Sequence, residues 1–247
     1  MQTERQLTWD ACLNVRDLGG HATPEGETRW GAVVRADALR RLTDEGWREL
    51  VGHGISTIVD LRMDEEREAD PPADIPVQVV HVNVLGGSPP DYGEQLDVLV
   101  DAVDTPADKT RAVYLDFLER FGPNWAAAVR AVADAPPGGV LVHCQGGKDR
   151  TGLVVALLLS LAGVSDDEIA ADYAISEQNL TSIQQAWEND AETDDERERR
   201  RQIGRTPPDA MRGVLAELER RHGSVRRFLL DVGSTPDELD RVIARLR

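Results

Sequence analysis

Cysteine, lysine and aromatic residues are all scarce in this sequence of 247 residues. With only two cysteines, Cys12 and Cys144, the chain lacks the disulfide framework that stabilises small secreted domains. The sequence shows no run of about twenty apolar residues and no apolar signal core near its amino terminus. We therefore expect no stable membrane insertion and a cytoplasmic location, with export by a route that needs no such signal left open.

Positive charge is also in short supply. Lys and Arg total 28 against 45 Asp and Glu, which gives a formal net charge of −17. So acidic a surface repels polyanions, and we expect neither nucleic acid nor an anionic membrane as a partner. Only two of the cations are lysines, Lys109 and Lys148. The length suffices for one α/β domain with a substantial core, and the oligomeric state stays open.

The most regular apolar pattern lies in residues 138–163. Residues 140–142 form a short apolar run bounded by glycines, which predicts a buried strand. After a turn of small and charged residues, the chain from Thr151 is apolar nearly all round, which predicts a buried helix ended by Gly163. This succession brings backbone N–H groups and a helix amino terminus to one point, and such a point attracts anions.

Cys144 and Arg150 flank that turn, with five residues between them. A helix amino terminus and nearby cations lower a thiol pKa from about 8.5 to roughly 3.5–7.5, which produces a nucleophilic thiolate. The same turn can bind a phosphate group, because Arg150 offers a planar fork of N–H donors and Lys148 offers a point charge. Because Gly146 and Gly147 carry no Cβ, the backbone can fold closely around an oxyanion.

Proton transfer has three candidate residues. An ionised Asp149 would repel a phosphate, so we expect it to be protonated and to protonate the leaving oxygen as general acid. Thr151 can donate its hydroxyl to the thiolate when that thiolate leaves. Asp60 ends a predicted strand at the edge where α/β sheets bind ligands. It is either a second candidate acid, a residue that orients Arg150, or the partner of a local arginine such as Arg62.

The stretch HCQGGKDRTG at residues 143–152 resembles the signature of cysteine-dependent phosphatases. Its GKDRTG ending resembles the bacterial tyrosine phosphatase family. Further similarity follows the family's order along nearly the whole chain, at residues 14–20 (NVRDLGG), 35–39 (RADAL), 60–66 (DLRMDEE), 172–173 (DY) and 223–225 (GSV).

The resemblance implies an α/β cysteine-phosphatase fold over a single domain, residues 1–247. We expect a mostly parallel central sheet of four to five strands flanked by helices, with a helical carboxyl-terminal part. The implied activity is hydrolysis of phosphate monoesters through a cysteinyl-phosphate, without metal or cofactor. Phosphotyrosine is the first substrate class, and phosphoserine, phosphothreonine or phosphoinositides are further ones. The predicted catalytic residues are Cys144, Arg150 and Asp149, and the predicted substrate-binding residues are His143, Gln145, Gly146, Gly147, Lys148, Thr151, Asp60 and Arg62.

Several segments allow two interpretations. Residues 184–205 are dense in charge and form either part of a helical lid at about 174–210, as in some members of the resembling family, or a solvated surface helix. Tyr114 and Phe117, at helical spacing, are either core residues or walls of the site. Other apolar runs predict strands at 30–36, 55–61 and 77–84, and a helical pattern covers 91–125.

Two other functions use the same residues. A catalytically silent module would bind phosphorylated ligands in the same loop, although it has no need of nucleophile, arginine and acid together. An arsenate or thiol oxidoreductase would need a second cysteine near Cys144, and Cys12 is the only candidate. A nucleotide-binding glycine loop is excluded, because Asp149 stands where that motif requires Ser or Thr.

Overall fold

A five-stranded, mostly parallel sheet forms the centre of the fold, as predicted. The structure is a computed structural model that describes residues 4–71, 75 and 77–247, so residues 1–3, 72–74 and 76 of the predicted domain lie outside the described residues. The strands are β1 (Arg16–Asp17), β2 (Ala22–Thr23), β3 (Gly26–Glu27), β4 (Val33–Ala36), β5 (Ile55–Asp60), β6 (Gln78–His81) and β7 (Gly139–His143). Their order in the main sheet is β1-β4-β7-β5-β6, while β2 and β3 form a separate hairpin.

The central strand β7 determines where the site lies. It pairs in parallel with β4 on one side and β5 on the other, and only the edge strand β1 runs antiparallel. His143 is level with Ala36 of β4 and with Asp60 of β5. The carboxyl ends of three neighbouring strands therefore meet at one edge of the sheet, which is where α/β folds bind their ligands.

Helices cover both faces of the sheet. They are α1 (Asp44–Gly52), α2 (Asp64–Ala69), α3 (Tyr92–Asp101), α4 (Pro106–Arg120), α5 (Gly122–Asp134), α6 (Asp149–Ala162), α7 (Asp166–Asn179), α8 (Thr181–Asn189), α9 (Asp194–Gly204), α10 (Pro208–His222), α11 (Val225–Asp231) and α12 (Pro236–Leu246). Within the described ranges, none of these helices has the length and apolar character needed to cross a bilayer.

The core has two parts, one on each face of the sheet. The larger contains α6, in which eleven of fourteen residues are buried, packed among residues of α4, α5, α7 and the carboxyl-terminal helices. The smaller joins α1 to the other face through residues such as Leu50, Ile58 and Leu141. Burial on every side explains why the α6 sequence is apolar nearly all round.

Some element bounds differ from the sequence prediction because the sequence marks the ends of these strands and helices only weakly. The strands predicted at 30–36 and 77–84 shorten to Val33–Ala36 and Gln78–His81, because their ends leave the sheet. The helical pattern over 91–125 divides into α3, α4 and the start of α5. Thr105 caps α4, with a proline at its first turn, and this local signal marks a break that apolar spacing does not reveal.

Candidate active site

The loop that follows β7 lies at the amino terminus of α6. We call residues 144–150 the cysteine loop; its last two residues already belong to the helix. Cys144 is 2% exposed, at the carboxyl edge of the sheet. The strand, loop and helix predicted from the sequence are all present here, so the thiol lies where a helix amino terminus favours negative charge.

Gly147 allows the loop to turn tightly against β4. Its φ is +62°, and a Cβ added here would lie only 2.3 Å from the carbonyl oxygen of Ala36. At Gly146, by contrast, the nearest atom to such a Cβ would be 3.9 Å away. Of these two glycines, Gly147 is therefore the one that both backbone conformation and space require.

Bonds to the carbonyl oxygens hold the loop from outside. The Ala38 amide donates to the Gln145 carbonyl at 3.0 Å. The Asn14 side chain donates to the carbonyls of Gly146 and Gly147, each at 3.1 Å. Among the described residues, the amide N–H groups of residues 145–148 have no acceptor. The loop thus keeps a set of free backbone donors next to the thiol, an arrangement that suits an oxyanion.

A buried ion cluster supports the same loop. Asp172 of α7 accepts from Arg16 Nε at 2.7 Å and from Arg35 Nη1 at 2.5 Å. Arg35 also donates from Nη2 to the Gly147 carbonyl at 2.8 Å. Burial would raise the pKa of Asp172, but the two guanidinium charges hold that pKa far below its ordinary value. Burial and the neighbouring Arg16 lower the pKa of Arg35 to about 10, so both groups stay ionised at neutral pH.

Arg150 is oriented by Glu66 of α2. Both terminal guanidinium nitrogens bind the Glu66 carboxylate, with Nη2 to Oε1 at 2.8 Å. Although burial opposes it, these hydrogen bonds, together with the charge of Cys144, raise the pKa of Arg150 above its ordinary value. Burial likewise raises the pKa of Glu66, but the bonds from Arg150 lower it overall. The bidentate pair fixes the guanidinium plane beside the thiol.

Asp149 lies at the mouth of the site, with its side chain 44% exposed. Its Oδ1 accepts from the Tyr114 hydroxyl at 2.5 Å and lies 3.5 Å from Lys148 Nζ. The Tyr114 hydroxyl is also 2.8 Å from that of Tyr173. Tyr114 and Phe117 are both buried, as core residues are. Tyr114 also contacts Asp149, a predicted catalytic residue.

Lys148 connects the cysteine loop to α9. Its Nζ donates to the carbonyl oxygen of Ile203, and a Cβ added at Gly146 would lie 4.0 Å from Leu180 Cδ1. A salt bridge of 2.6 Å between Arg199 and Asp97 joins α9 to α3. The segment formed by α8 and α9 therefore lies against the cysteine loop rather than extending freely into solvent.

Asp60, Arg62 and His143 form a separate group beneath the loop. Arg62 donates to both carboxylate oxygens of Asp60, from Nε at 2.9 Å and Nη2 at 2.8 Å, and also to Asp70 at 2.6 Å. His143 Nε2 lies 3.6 Å from Asp60 Oδ1. Burial raises the pKa of Asp60, but the bonds from Arg62 lower it overall, and burial lowers the pKa of His143. Asp60 is thus paired locally, and within the described residues no side-chain hydrogen bond joins it to the cysteine loop.

The remaining predicted residues have plain positions. The Thr151 hydroxyl is buried and has no hydrogen-bond partner among the described residues. Gln145 contributes its carbonyl to the Ala38 amide. Cys12 is a free thiol that donates to Asp37 at 3.0 Å, and burial with the Asp37 charge raises its pKa far above the ordinary value.

None of the supporting residues is among the predicted catalytic and substrate-binding residues. They are Asn14, Arg16, Arg35, Glu66 and Asp172, all of which lie in segments quoted above for their resemblance. Each is a polar side chain that contacts the loop or a partner of the loop. For Arg35 the available signal was a charged residue within a short apolar segment, which indicates a buried polar partner. Glu66 lies in a highly charged stretch that gives no such signal.

The fold is that of the cysteine phosphatases, with a thiol, an arginine and a carboxyl group gathered on one loop. Residues 7–247 match the model of the tyrosine phosphatase family. A tyrosine-protein phosphatase of Nostoc commune is 30% identical over 227 residues, covering 87% of this chain and 74% of the relative. The triple specificity protein phosphatase PtpB of Mycobacterium tuberculosis is 31% identical over 201 residues, covering 69% of this chain and 68% of the relative. The chain belongs to the tyrosine phosphatase family and is a protein-tyrosine-phosphatase-like hydrolase.

Proposed function

We propose that the protein hydrolyses phosphate monoesters through a cysteinyl-phosphate, without a metal ion. The observation that carries the proposal is the cysteine loop itself: free backbone N–H donors and a clamped Arg150 surround the Cys144 thiol. These donors match the equatorial oxygens of a phosphoryl group attacked in line by sulfur. Charge neutralisation comes from Arg150, Lys148 and the amides, and this is why no metal is needed.

In the first step the Cys144 thiolate attacks phosphorus. The S–P bond forms as the P–O bond to the leaving group breaks, and the leaving oxygen takes that bond's electron pair. Protonated Asp149 gives its proton to this oxygen. In the second step water attacks the cysteinyl-phosphate, Asp149 accepts a proton from that water, and the S–P bond breaks to regenerate the thiolate. In this proposal Thr151 donates its hydroxyl to the departing sulfur, and the support is that this buried hydroxyl has no other partner among the described residues.

Asp149 is the better of the two candidate acids. Its side chain is partly exposed at the mouth of the loop, and its Oδ2 makes no hydrogen bond with another described residue. Both oxygens of Asp60 are bound by Arg62, and its lowered pKa keeps it ionised. A carboxylate held by a guanidinium has no proton to give at neutral pH. Asp60, Arg62 and His143 then support the end of β7 rather than touch the substrate.

Phosphotyrosine is the proposed substrate, with phosphoserine, phosphothreonine and phosphoinositides as further classes. The relative named a triple specificity phosphatase supports this breadth. Lys148 adds a second cation to the loop, and a phosphoinositide head group offers more than one phosphate to such a cation. Lys148→Ala should reduce phosphoinositide hydrolysis more than phosphotyrosine hydrolysis, and equal losses would contradict this role.

The segment of α8 and α9 serves as a lid within a single phosphatase domain in this proposal. Its support is the bond that Lys148 donates to the Ile203 carbonyl. In this proposal the Lys148 ammonium keeps that bond until substrate binds. Substrate binding would exchange that neutral carbonyl for a charged phosphate oxygen, and charge-assisted bonds are the stronger ones.

The test is trapping of the intermediate. The protein is mixed with a phosphotyrosine peptide in the presence of chelator and quenched in acid. It is then digested, and the masses of its peptides are measured by mass spectrometry. We expect phosphate on Cys144, no turnover by Cys144→Ser, and retained tungstate binding by that variant. Turnover by Cys144→Ser would contradict the nucleophile assignment. Tungstate binding without turnover of any substrate by the wild type would favour a phospho-ligand binding module.

An oxidoreductase is disfavoured by the state of the second thiol. Cys12 donates to Asp37, and its raised pKa keeps it protonated, whereas disulfide exchange requires a thiolate.

A further inference from the structure

A chain of hydroxyl groups leads from the core to Asp149. Tyr173 of α7 and Tyr114 of α4 are 1% and 2% exposed, and their hydroxyls lie 2.8 Å apart. The Tyr114 hydroxyl lies 2.5 Å from Asp149 Oδ1. A hydroxyl has one hydrogen to donate, and Oδ1 of Asp149 accepts it both in the ionised carboxylate and in the acid that carries its proton on Oδ2. The direction is therefore fixed: Tyr173 donates to Tyr114, and Tyr114 donates to Asp149.

We propose that Tyr114, supported by Tyr173, is a positioning residue that keeps Oδ1 of Asp149 as an acceptor and so places the transferable proton on Oδ2. This inference rests on the proposed function, in which Asp149 is the general acid. Tyr114 lies in the core and touches no reacting atom. It acts by fixing the carboxyl rotamer and by deciding which of the two oxygens carries the proton.

The surroundings keep Tyr114 a donor at every working pH. Burial and the charge of Asp149 raise the pKa of Tyr114 well above its ordinary value, and burial also raises the pKa of Tyr173. The charged groups that face Asp149 are Lys148, at 3.5 Å from Oδ1, and Arg150, whose charge interacts with it. Neither cation lies in α4 or α7. These two helices therefore act on Asp149 through the hydroxyls of Tyr114 and Tyr173.

Loss of the Tyr114 hydroxyl removes the hydrogen bond that holds Oδ1 of Asp149. The freed carboxyl group loses its orientation, so the rate should fall on the order of tenfold where leaving-group protonation matters.

The experiment compares Tyr114→Phe with Tyr92→Phe. Tyr92 lies in the same aromatic cluster, and its hydroxyl donates to Asp116 at 2.6 Å rather than to Asp149. Each variant is assayed on phenyl phosphate, whose leaving group needs a proton, and on p-nitrophenyl phosphate, whose leaving group needs one less. We expect Tyr114→Phe to lose phenyl phosphate activity selectively. Tyr92→Phe should keep the wild-type ratio of the two activities.

Tyr173→Phe should show the same selective loss in weaker form, because Tyr114 keeps its hydroxyl and still donates to Asp149. If Tyr114→Phe matches Tyr92→Phe in the ratio of the two activities, the positioning role is overturned. Asp149→Asn separates this failure from failure of the mechanism. If Asp149→Asn keeps its phenyl phosphate activity, Asp149 is not the acid. If it loses that activity while Tyr114→Phe does not, only the tyrosine inference fails.

Discussion

Arg35 donates to the Gly147 carbonyl at 2.8 Å and, through its other terminal nitrogen, to buried Asp172 at 2.5 Å. One guanidinium thus connects the cysteine loop to α7 through the end of β4. Hydrogen bonds from Asn14 reinforce the connection at the same carbonyl. The geometry of the loop is consequently a property of the whole sheet edge and not of residues 144–150 alone.

Removal of this connection should destabilise the fold. Arg35→Ala leaves Asp172 buried with a single guanidinium partner, and breaking a buried pair in this way costs about 3–5 kcal/mol. Urea denaturation at neutral pH measures the loss. Arg48→Ala is the matched control, because Arg48 forms an exposed pair with Glu45 one helical turn away, worth about 0–1 kcal/mol. Equal losses of unfolding free energy in the two variants would show that the buried pair stabilises the fold no more than the exposed pair does.

Asp172 should make stability depend on acid pH. Its pKa is lower in the folded chain than in the unfolded chain, so folding is favoured above the unfolded value of about 3.9 and this contribution is lost as pH falls towards the folded value. The free energy of unfolding of wild type and Asp172→Asn should therefore differ most near neutrality and converge below about pH 4. A difference that stays constant through this range would contradict the assignment.

The two loop glycines should respond differently to alanine. Gly147→Ala combines a positive φ with a Cβ 2.3 Å from the Ala36 carbonyl, so we expect a destabilisation of at least about 1–3 kcal/mol and loss of tungstate binding. Gly146→Ala meets no atom closer than 3.9 Å and should unfold near the wild-type urea concentration. Calorimetric titration with tungstate and urea denaturation of both variants test the comparison.

The salt bridge between the proposed lid and α3 should restrict large substrates. Arg199→Ala removes the salt bridge to Asp97, whose worth of about 1 kcal/mol or less allows up to about a fivefold rise in kcat/KM for phosphorylated protein or phosphoinositide. Hydrolysis of p-nitrophenyl phosphate should change less. Arg197→Ala is the control, since Arg197 pairs with Asp194 inside α9 itself. A rise with both variants would indicate a general effect of charge.

The two thiols should differ in reactivity. The raised pKa of Cys12 keeps it protonated, so in Cys144→Ser it should resist iodoacetamide at about pH 8 until the chain is unfolded. In the wild type we expect alkylation at Cys144 first, with loss of activity in proportion. Peptide mass spectrometry over a time course identifies the site. Rapid labelling of Cys12 in folded Cys144→Ser would contradict its burial and its bond to Asp37.

The sequence was informative where the signal is local. The apolar run of β7, the glycines of the turn and the buried pattern of α6 lie within one stretch, so the strand, loop and helix could be predicted together. The five-stranded sheet followed from the resemblance and from similar apolar runs. Strand ends at Trp30 and Val84 were less certain, because departure from a sheet depends on the neighbouring strand and not on the residue itself.

The supporting contacts could not be predicted because they join distant parts of the chain. Glu66 lies 84 residues from Arg150, and no local pattern says which of many carboxylates would reach that guanidinium. For Asp60 the sequence left open a role facing the loop and a local pair with Arg62, and the structure shows the pair. Tyr114 was considered as a wall or core residue, and its bond to Asp149 depends on how α4 packs beside α6.

The bond from Asn14 to the Gly147 carbonyl spans 133 positions of the chain. During synthesis the bond from Asn14 therefore cannot form until Gly147 has been added, and the bond from Arg35 to Asp172 forms later still. Contacts of such long range are the ones that slow folding most. We expect the proposed reaction at Cys144 to start only once the sheet and α7 are complete. Recovery of turnover after dilution from denaturant should then follow the formation of native tertiary structure.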